Sequence, residues 1–175
     1  MTRAAIARPD VTEYAPAYGP YVGRVPEDDL LAVLEQQRHE TQGLLASLPE
    51  GKALYRYAPG KWSIKEVIGH LMDCERVFAY RALRFARGDQ TPLSGFDEKL
   101  YAPAGTFDAR PLTDLAAELD TVRQATIALF GGLDADVLAR HGRANDREVS
   151  VRALGYIIAG HERHHVAILR DRYLG

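Results

Sequence analysis

The sequence has little of what marks secreted, membrane or nucleic-acid-binding proteins. Cys74 is its one cysteine, so no intramolecular disulfide can form and a cysteine-rich zinc site is excluded. Lys and Arg number 22 against 24 Asp and Glu, which leaves no basic excess to attract nucleic acid. No apolar run is long enough to span a bilayer, and residues 1–9 lack the apolar core of a signal peptide. We therefore expect a cytoplasmic protein that binds neither nucleic acid nor membrane.

The composition is that of one ordinary globular domain. Hydrophobic residues make up 46% and charged residues 26% of 175 residues, enough to build a substantial core. Prolines are concentrated near the N-terminus, at positions 9, 16, 20 and 26. This spacing predicts an irregular arm over residues 1–26, followed by one domain over 27–175.

Apolar residues in the domain recur at spacings of three and four, which is the helical period. The second helical pattern begins at Ser63, which forms a capping-box motif with Glu66. No segment alternates convincingly enough to predict a strand. The sequence therefore predicts an all-α four-helix bundle, with a long crossover over 89–111 between the second and third helices. The four helices are predicted over 27–48, 63–87, 112–130 and 151–173.

Histidines occupy the apolar stripe of the fourth predicted helix. His161 and His165 are four residues apart, so their side chains lie one turn from each other and face the core. Buried imidazoles must either find hydrogen-bond partners or bind a ligand, and the spacing alone allows both interpretations. His70, at the flank of the second helix, completes a three-histidine site if these two helices pack as neighbours. Three imidazoles would leave one coordination position open, as in a catalytic metal site.

Other polar residues lie near these histidines in the sequence. Cys74 could be a fourth ligand, a reactive thiol or a small core residue. Glu75 falls on the apolar side of its helix, where it could act as a general base or pair with an arginine. His164 lies at the edge of the apolar stripe and receives no ligand role. Asp73 and Glu162 are interpreted as surface charges.

Two sequence segments resemble the DinB superfamily, the DinB/YfiT-like metalloenzymes. They are WSIKEVIGHL at 62–71 and GHERHH at 160–165, and the resemblance covers about residues 28–172. It implies a four-helix bundle that binds a divalent ion, zinc or nickel, through His70, His161 and His165. The second segment also matches H-E-x-x-H, with Glu162 as base, but after His165 only Asp171 could supply a third ligand.

The resemblance implies a metal-dependent function without fixing the reaction. The function favoured is transfer of a low-molecular-weight thiol, such as bacillithiol or mycothiol, to an electrophilic small-molecule substrate. The alternatives are a hydrolase that uses a metal-bound water, and a non-catalytic metal-binding stress-response protein. Arg81, Arg84 and Arg110 are candidates to recognise a polar cosubstrate. Family members are often dimers, so a homodimer is expected.

Overall fold

The computed structural model describes residues 5–175, and within them the chain forms seven α-helices and one two-stranded sheet. The all-α four-helix bundle that the sequence predicts is confirmed, with four long helices and several short elements around them. No helix within the described residues is both long and apolar enough to cross a membrane. The elements are α1 (Gly19–Val22), α2 (Leu30–Ala46), α3 (Ile64–Ala86), α4 (Glu98–Ala104), α5 (Leu112–Gly131), α6 (Ala135–Leu138), β1 (His141–Ala144), β2 (Arg147–Ser150) and α7 (Val151–Ile168).

The long helices pack in an order that differs from their order in the chain. Both α2 and α3 pack against α5 and α7, so the consecutive helices α2 and α3 lie diagonally across the bundle. The crossover between α3 and α5 carries α4 and a 3₁₀ turn at Phe107–Ala109 along the outside. This arrangement makes α3 and α7 direct neighbours, which is the condition for bringing His70 to the histidines of α7.

Local capping chemistry sets the helix starts. At α3 the side chain of Ser63 accepts from the Glu66 amide, and the Glu66 carboxylate accepts from the Ser63 amide, as the sequence predicts. The predicted start of the first long helix at residue 27 is wrong. The carboxylate of Asp29 caps the helix there, so α2 begins at Leu30.

The expectation that no strand forms is also wrong, because β1 and β2 pair antiparallel as a hairpin. Asn145 and Asp146 both have positive φ, 51° and 58°, which is the geometry of a tight hairpin turn. The strands are four residues long and mostly polar, so their apolar alternation is too short to detect. The crossover joins this hairpin through backbone hydrogen bonds of Leu93 to Arg143 and Asn145.

The segment predicted as an irregular arm is built into the fold. Residues 1–4 of it lie outside the described residues, but the rest forms two 3₁₀ turns and α1, which packs against α7. Val22 and Val25 are fully buried there. Glu13 fixes the arm to α7 by accepting hydrogen bonds from Ser150 and Arg152.

Two apolar clusters fill the two ends of the bundle. One joins the arm to the C-terminal half of α3, and the other lies around the N-terminal half of α3 and the turn that follows α7. That last turn, Leu169–Leu174, is π-helical, whereas the sequence predicts a regular helix to residue 173. Between the clusters lies a layer of buried polar side chains from α2, α3, α5 and α7, and the histidines belong to this middle layer.

Candidate metal centre

Three histidines converge where α3 and α7 face each other. The Nε2 atom of His70 lies 3.1 Å from Nε2 of His161 and 3.2 Å from Nε2 of His165. The rings of His161 and His165 are 4.6 Å apart between centroids, as expected for residues one helical turn apart. His70, His161 and His165, hereafter the three-histidine cluster, are the one group of His, Cys, Asp and Glu side chains within residues 5–175 with metal-ligand spacing.

The donor geometry of the cluster fits a single transition-metal ion. Zinc binds imidazole nitrogen at ~2.05 Å, so ligands in a tetrahedral arrangement lie ~3.3 Å apart, and ligands at right angles lie ~2.9 Å apart. The Nε2 separations of 3.1 and 3.2 Å fall between these limits. Three imidazoles suit zinc, nickel or another borderline ion, whereas magnesium and calcium prefer oxygen ligands.

Burial keeps the cluster in the protonation state that binds metal. It lowers the pKa of His70 to about 4, that of His161 to about 3 and that of His165 to about 2. All three imidazoles are therefore neutral near pH 7, with a nitrogen lone pair available to an ion.

Aromatic side chains surround the cluster and fix its rings. Trp62 packs on His70 with centroids 4.7 Å apart, and Tyr21 meets the edges of His161 and His164 at 5.4 and 5.8 Å. Trp62 therefore lines the site, in addition to covering the start of α3. Tyr21 was not predicted, because it comes from the N-terminal arm and only the folded chain brings it here.

The cluster faces a cavity of about 310 Å³, which is at the small end of the range for ligand-binding pockets. Its walls come from the arm, from α3 and α7, from the crossover and from the hairpin. The lining residues besides the cluster are Tyr18, Tyr21, Trp62, Cys74, Phe78, Arg81, Phe96, Glu98, Asn145, Arg147 and His164.

Cys74 lies in the cavity wall beside His70, and its thiol is not among the side chains that share metal-ligand spacing. Its Sγ atom lies 3.5 Å from Nδ1 and 3.6 Å from Nε2 of His70, and burial raises the pKa of its thiol to about 12. Among the described residues, the three histidines thus leave a fourth coordination position without a protein ligand.

The glutamates near the cluster in sequence are occupied elsewhere. Both carboxylate oxygens of Glu75 accept hydrogen bonds from Arg123, at 2.9 and 2.8 Å. Glu162 accepts from Thr41 and lies 2.7 Å from Arg123, so its interpretation as a surface charge is wrong: it is 4% exposed. Burial opposes the charge of Arg123, but Glu162 and Glu75 together raise its pKa. The structure does not bring Glu75, the candidate base, into the cavity that the cluster faces.

A different carboxylate, Glu98, lines the cavity. It lies at the start of α4 in the crossover, where Asp97 caps the helix. No motif in the sequence singles out Glu98. The one sequence feature that could have drawn attention to it is the length of the crossover, since long loops often carry functional residues. Among the described residues that line this cavity, it is the single acidic side chain.

The two glycines that precede cluster histidines allow other segments to approach closely. A Cβ atom at Gly69 would lie 2.2 Å from the Phe107 ring, and one at Gly160 would lie 2.0 Å from the carbonyl oxygen of Tyr21. The crossover and the arm therefore cover the two helices at the positions next to the cluster.

The three arginines considered for recognition differ in their surroundings. Arg84 pairs with Asp89, and Arg110 pairs with Glu118. Arg81 alone of the three lines the cavity.

A four-helix bundle with a three-histidine candidate metal centre facing a cavity defines the class of protein. The chain belongs to the DinB superfamily, whose family model matches residues 33–169. The resemblance noted from the two motifs is thus confirmed.

Two similar proteins were found in Bacillus. A protein of Bacillus licheniformis, whose name assigns it provisionally to the metal-dependent hydrolases, is 31% identical over 144 residues, which is 78% of this chain and 79% of that protein. The structure of YfiT from Bacillus subtilis, described as a probable metal-dependent hydrolase with an unusual four-helix bundle topology, matches with a TM-score of 0.73. That match covers 81% of this chain and 82% of YfiT at 19% identity, which shows a common fold.

Proposed function

We propose that this chain is a metal-dependent hydrolase that binds one divalent ion through His70, His161 and His165. The observation that carries the proposal is that the Nε2 atoms of three neutral imidazoles converge at the wall of a cavity. The name of the Bacillus licheniformis relative supports the same class of reaction.

The residues around the cluster suit this chemistry. A divalent ion held by three imidazoles supplies an open coordination position and acidifies a water molecule there. Trp62 and Tyr21 pack against the rings of His70 and His161 and so help to hold the ligands in place. Glu98 is the carboxylate of the cavity wall, so we assign it the role of proton acceptor.

Metal analysis of matched variants tests the site. Purified protein should contain about one zinc or nickel ion per chain. His161→Ala should lose ~10²–10⁴-fold in metal affinity, because a binding free energy of about 10–16 kcal/mol shared among three ligands gives about 3–5 kcal/mol for each. His164→Ala, which removes a neighbouring imidazole outside the cluster, should retain the ion. Equal loss in both variants, or a wild type that binds no ion after zinc or nickel is added, would contradict the proposal.

Turnover tests the reaction. Zinc-loaded protein should hydrolyse members of a panel of small chromogenic esters and amides, and chelation should abolish this activity. Glu98→Gln should lower kcat while the metal content stays unchanged. Full activity in the metal-free protein would show that the reaction does not use this site.

Thiol transfer is the second candidate, and the charge of the cavity favours it. Arg81 and Arg147 line the cavity against the one carboxylate of Glu98, so a thiol cosubstrate with carboxylate groups would be attracted. In a cobalt-substituted protein, a low-molecular-weight thiol should then produce a sulfur-to-metal absorption band. No spectral change with any thiol would leave hydrolysis as the function of the site.

A further inference from the structure

Arg81 is a buried cation in the wall of the cavity. Its residue is 3% exposed, and its Nη2 atom donates one hydrogen bond, of 3.1 Å, to the carbonyl oxygen of Ser94. The guanidinium lies over the rings of Phe78 and Phe96, 5.6 and 5.8 Å from their centroids. These contacts hold the group in one place from both the helix and the crossover sides.

No carboxylate neutralises Arg81 within residues 5–175. The other deeply buried arginine, Arg123, contacts two glutamates, and the half-buried Arg84 pairs with Asp89. A buried charge without a counter-ion is costly, so a fold retains one where a ligand supplies the opposite charge. The guanidinium also keeps most of its five N–H donors available.

Arg81 and His70 lie on the same face of α3. Arg81 is eleven positions after His70, which is three turns and ~20° of rotation, and ~16 Å along the helix axis. Helical side chains lean toward the N-terminus, so the guanidinium leans back toward the cluster. Both residues line the same cavity. One ligand can therefore touch the metal centre at one end and Arg81 at the other.

We propose that Arg81 binds the anionic end of the substrate, a carboxylate, while the group to be hydrolysed lies at the three-histidine cluster. The substrate class is then a small elongated ester or amide with a carboxylate at the far end. The planar guanidinium suits this role because it binds a carboxylate through two parallel hydrogen bonds. The inference rests on the proposed function, since it assumes that the metal centre holds the other end.

A pair of matched hydroxamates tests the inference without turnover. Suberic acid monohydroxamate and octanohydroxamic acid have the same chain length and the same metal-binding group, but only the first has a terminal carboxylate. Isothermal titration into zinc-loaded protein should show the acid binding about 10- to 100-fold more tightly. Arg81→Met should remove this preference and leave the affinity for octanohydroxamic acid unchanged.

Control variants separate the alternatives. Arg84→Met, outside the cavity, should retain the full preference, and Arg147→Met, at an exposed cavity position, should retain most of it. Equal affinities of the two compounds for the wild type would overturn the inference and leave the metal site intact. Loss of the preference in Arg147→Met instead, or loss of octanohydroxamate binding in Arg81→Met, would also overturn it.

If neither hydroxamate binds the zinc-loaded wild type, the open coordination position is absent, and both the proposed function and the inference fail. If Arg81→Met does not fold by circular dichroism, Arg81→Lys takes its place, and it should weaken the preference because Lys cannot form the two parallel bonds. Two results together would refute the inference that the Arg81 guanidinium binds the carboxylate at a fixed distance from the metal centre. They are an unchanged preference in Arg81→Lys and a shorter dicarboxylic monohydroxamate that binds as tightly as suberic acid monohydroxamate.

Discussion

Replacing Gly160 by alanine tests how tightly the N-terminal arm is held against the metal centre. Gly160 directly precedes His161 on α7, and a Cβ atom there would lie 2.0 Å from the carbonyl oxygen of Tyr21. Carbon and oxygen atoms in contact lie ~3.3 Å apart, so the backbone of the arm would have to retreat by ~1 Å. Tyr21 packs against His161, so this movement reaches the cluster.

Two opposing terms set the magnitude of the change. Alanine is favoured over glycine inside a helix by about 1 kcal/mol. Overpacking a filled site costs about 1–3 kcal/mol, and here the obstacle is backbone, which cannot rotate away as a side chain can. We expect Gly160→Ala to lower the free energy of unfolding by ~1–2 kcal/mol, and the melting temperature by roughly 2–8 °C.

Gly43→Ala is the matched control, because Gly43 lies within α2 and a Cβ atom there would meet nothing within 4 Å. This variant should gain up to about 1 kcal/mol. Urea denaturation of the metal-free proteins compares the two, and metal titration reports on the cluster. If Gly160→Ala is as stable as Gly43→Ala and binds metal as the wild type does, the packing of the arm on α7 that the structure shows would be refuted.

Three more variants probe the surroundings of the centre. Arg123→Met should destabilise the fold by about 3–5 kcal/mol in urea denaturation, because it leaves two buried glutamates facing each other. The control Arg38→Met, at a partly exposed ion pair, should cost about 1 kcal/mol or less. Similar losses of stability in the two variants would contradict the buried ion-pair network. Glu13→Gln should cost about 1–2 kcal/mol above pH 4.5. Burial raises the pKa of Glu13, but hydrogen bonds, with Arg152 first, outweigh it and lower the pKa below 4.5. The difference in stability between Glu13→Gln and the wild type should therefore shrink as the pH falls below 4.5. A difference that stays constant with pH would refute an ionised Glu13 bound to Arg152. Cys74→Ala should keep one ion per chain, and its loss would indicate a closed, four-ligand site.

Features that depend on neighbouring residues could be read from the sequence. The start of α3 follows from Ser63 and Glu66, because a capping box joins residues three apart. The orientation of His161 and His165 toward the core follows from helical periodicity in the same way. The hairpin was not predicted, because four-residue polar strands have too little alternation to detect, and it is the pairing of β1 with β2 that shows it.

Features that depend on distant pairings could not be read in this way. The apolar position of Glu75 allowed an arginine partner, but only the fold identifies it as Arg123 of another helix. Glu162 was interpreted as a surface charge, and it is buried because the same arginine pairs with it. The arm has no helical period, yet it packs against α7 because Gly160 leaves room for its backbone.

The sequence by itself determined which histidines can meet one ion, because residues four apart on a helix share a face whatever the helix packs against. Only the tertiary structure decided that they do meet. The packing of the four long helices sets α3 beside α7 and diagonally across from α2, which brings His70 within 3.2 Å of both partners. Tertiary packing also decided which charges are paired and which face the cavity, since a charge is neutralised by its neighbours in space and not by its neighbours in the chain.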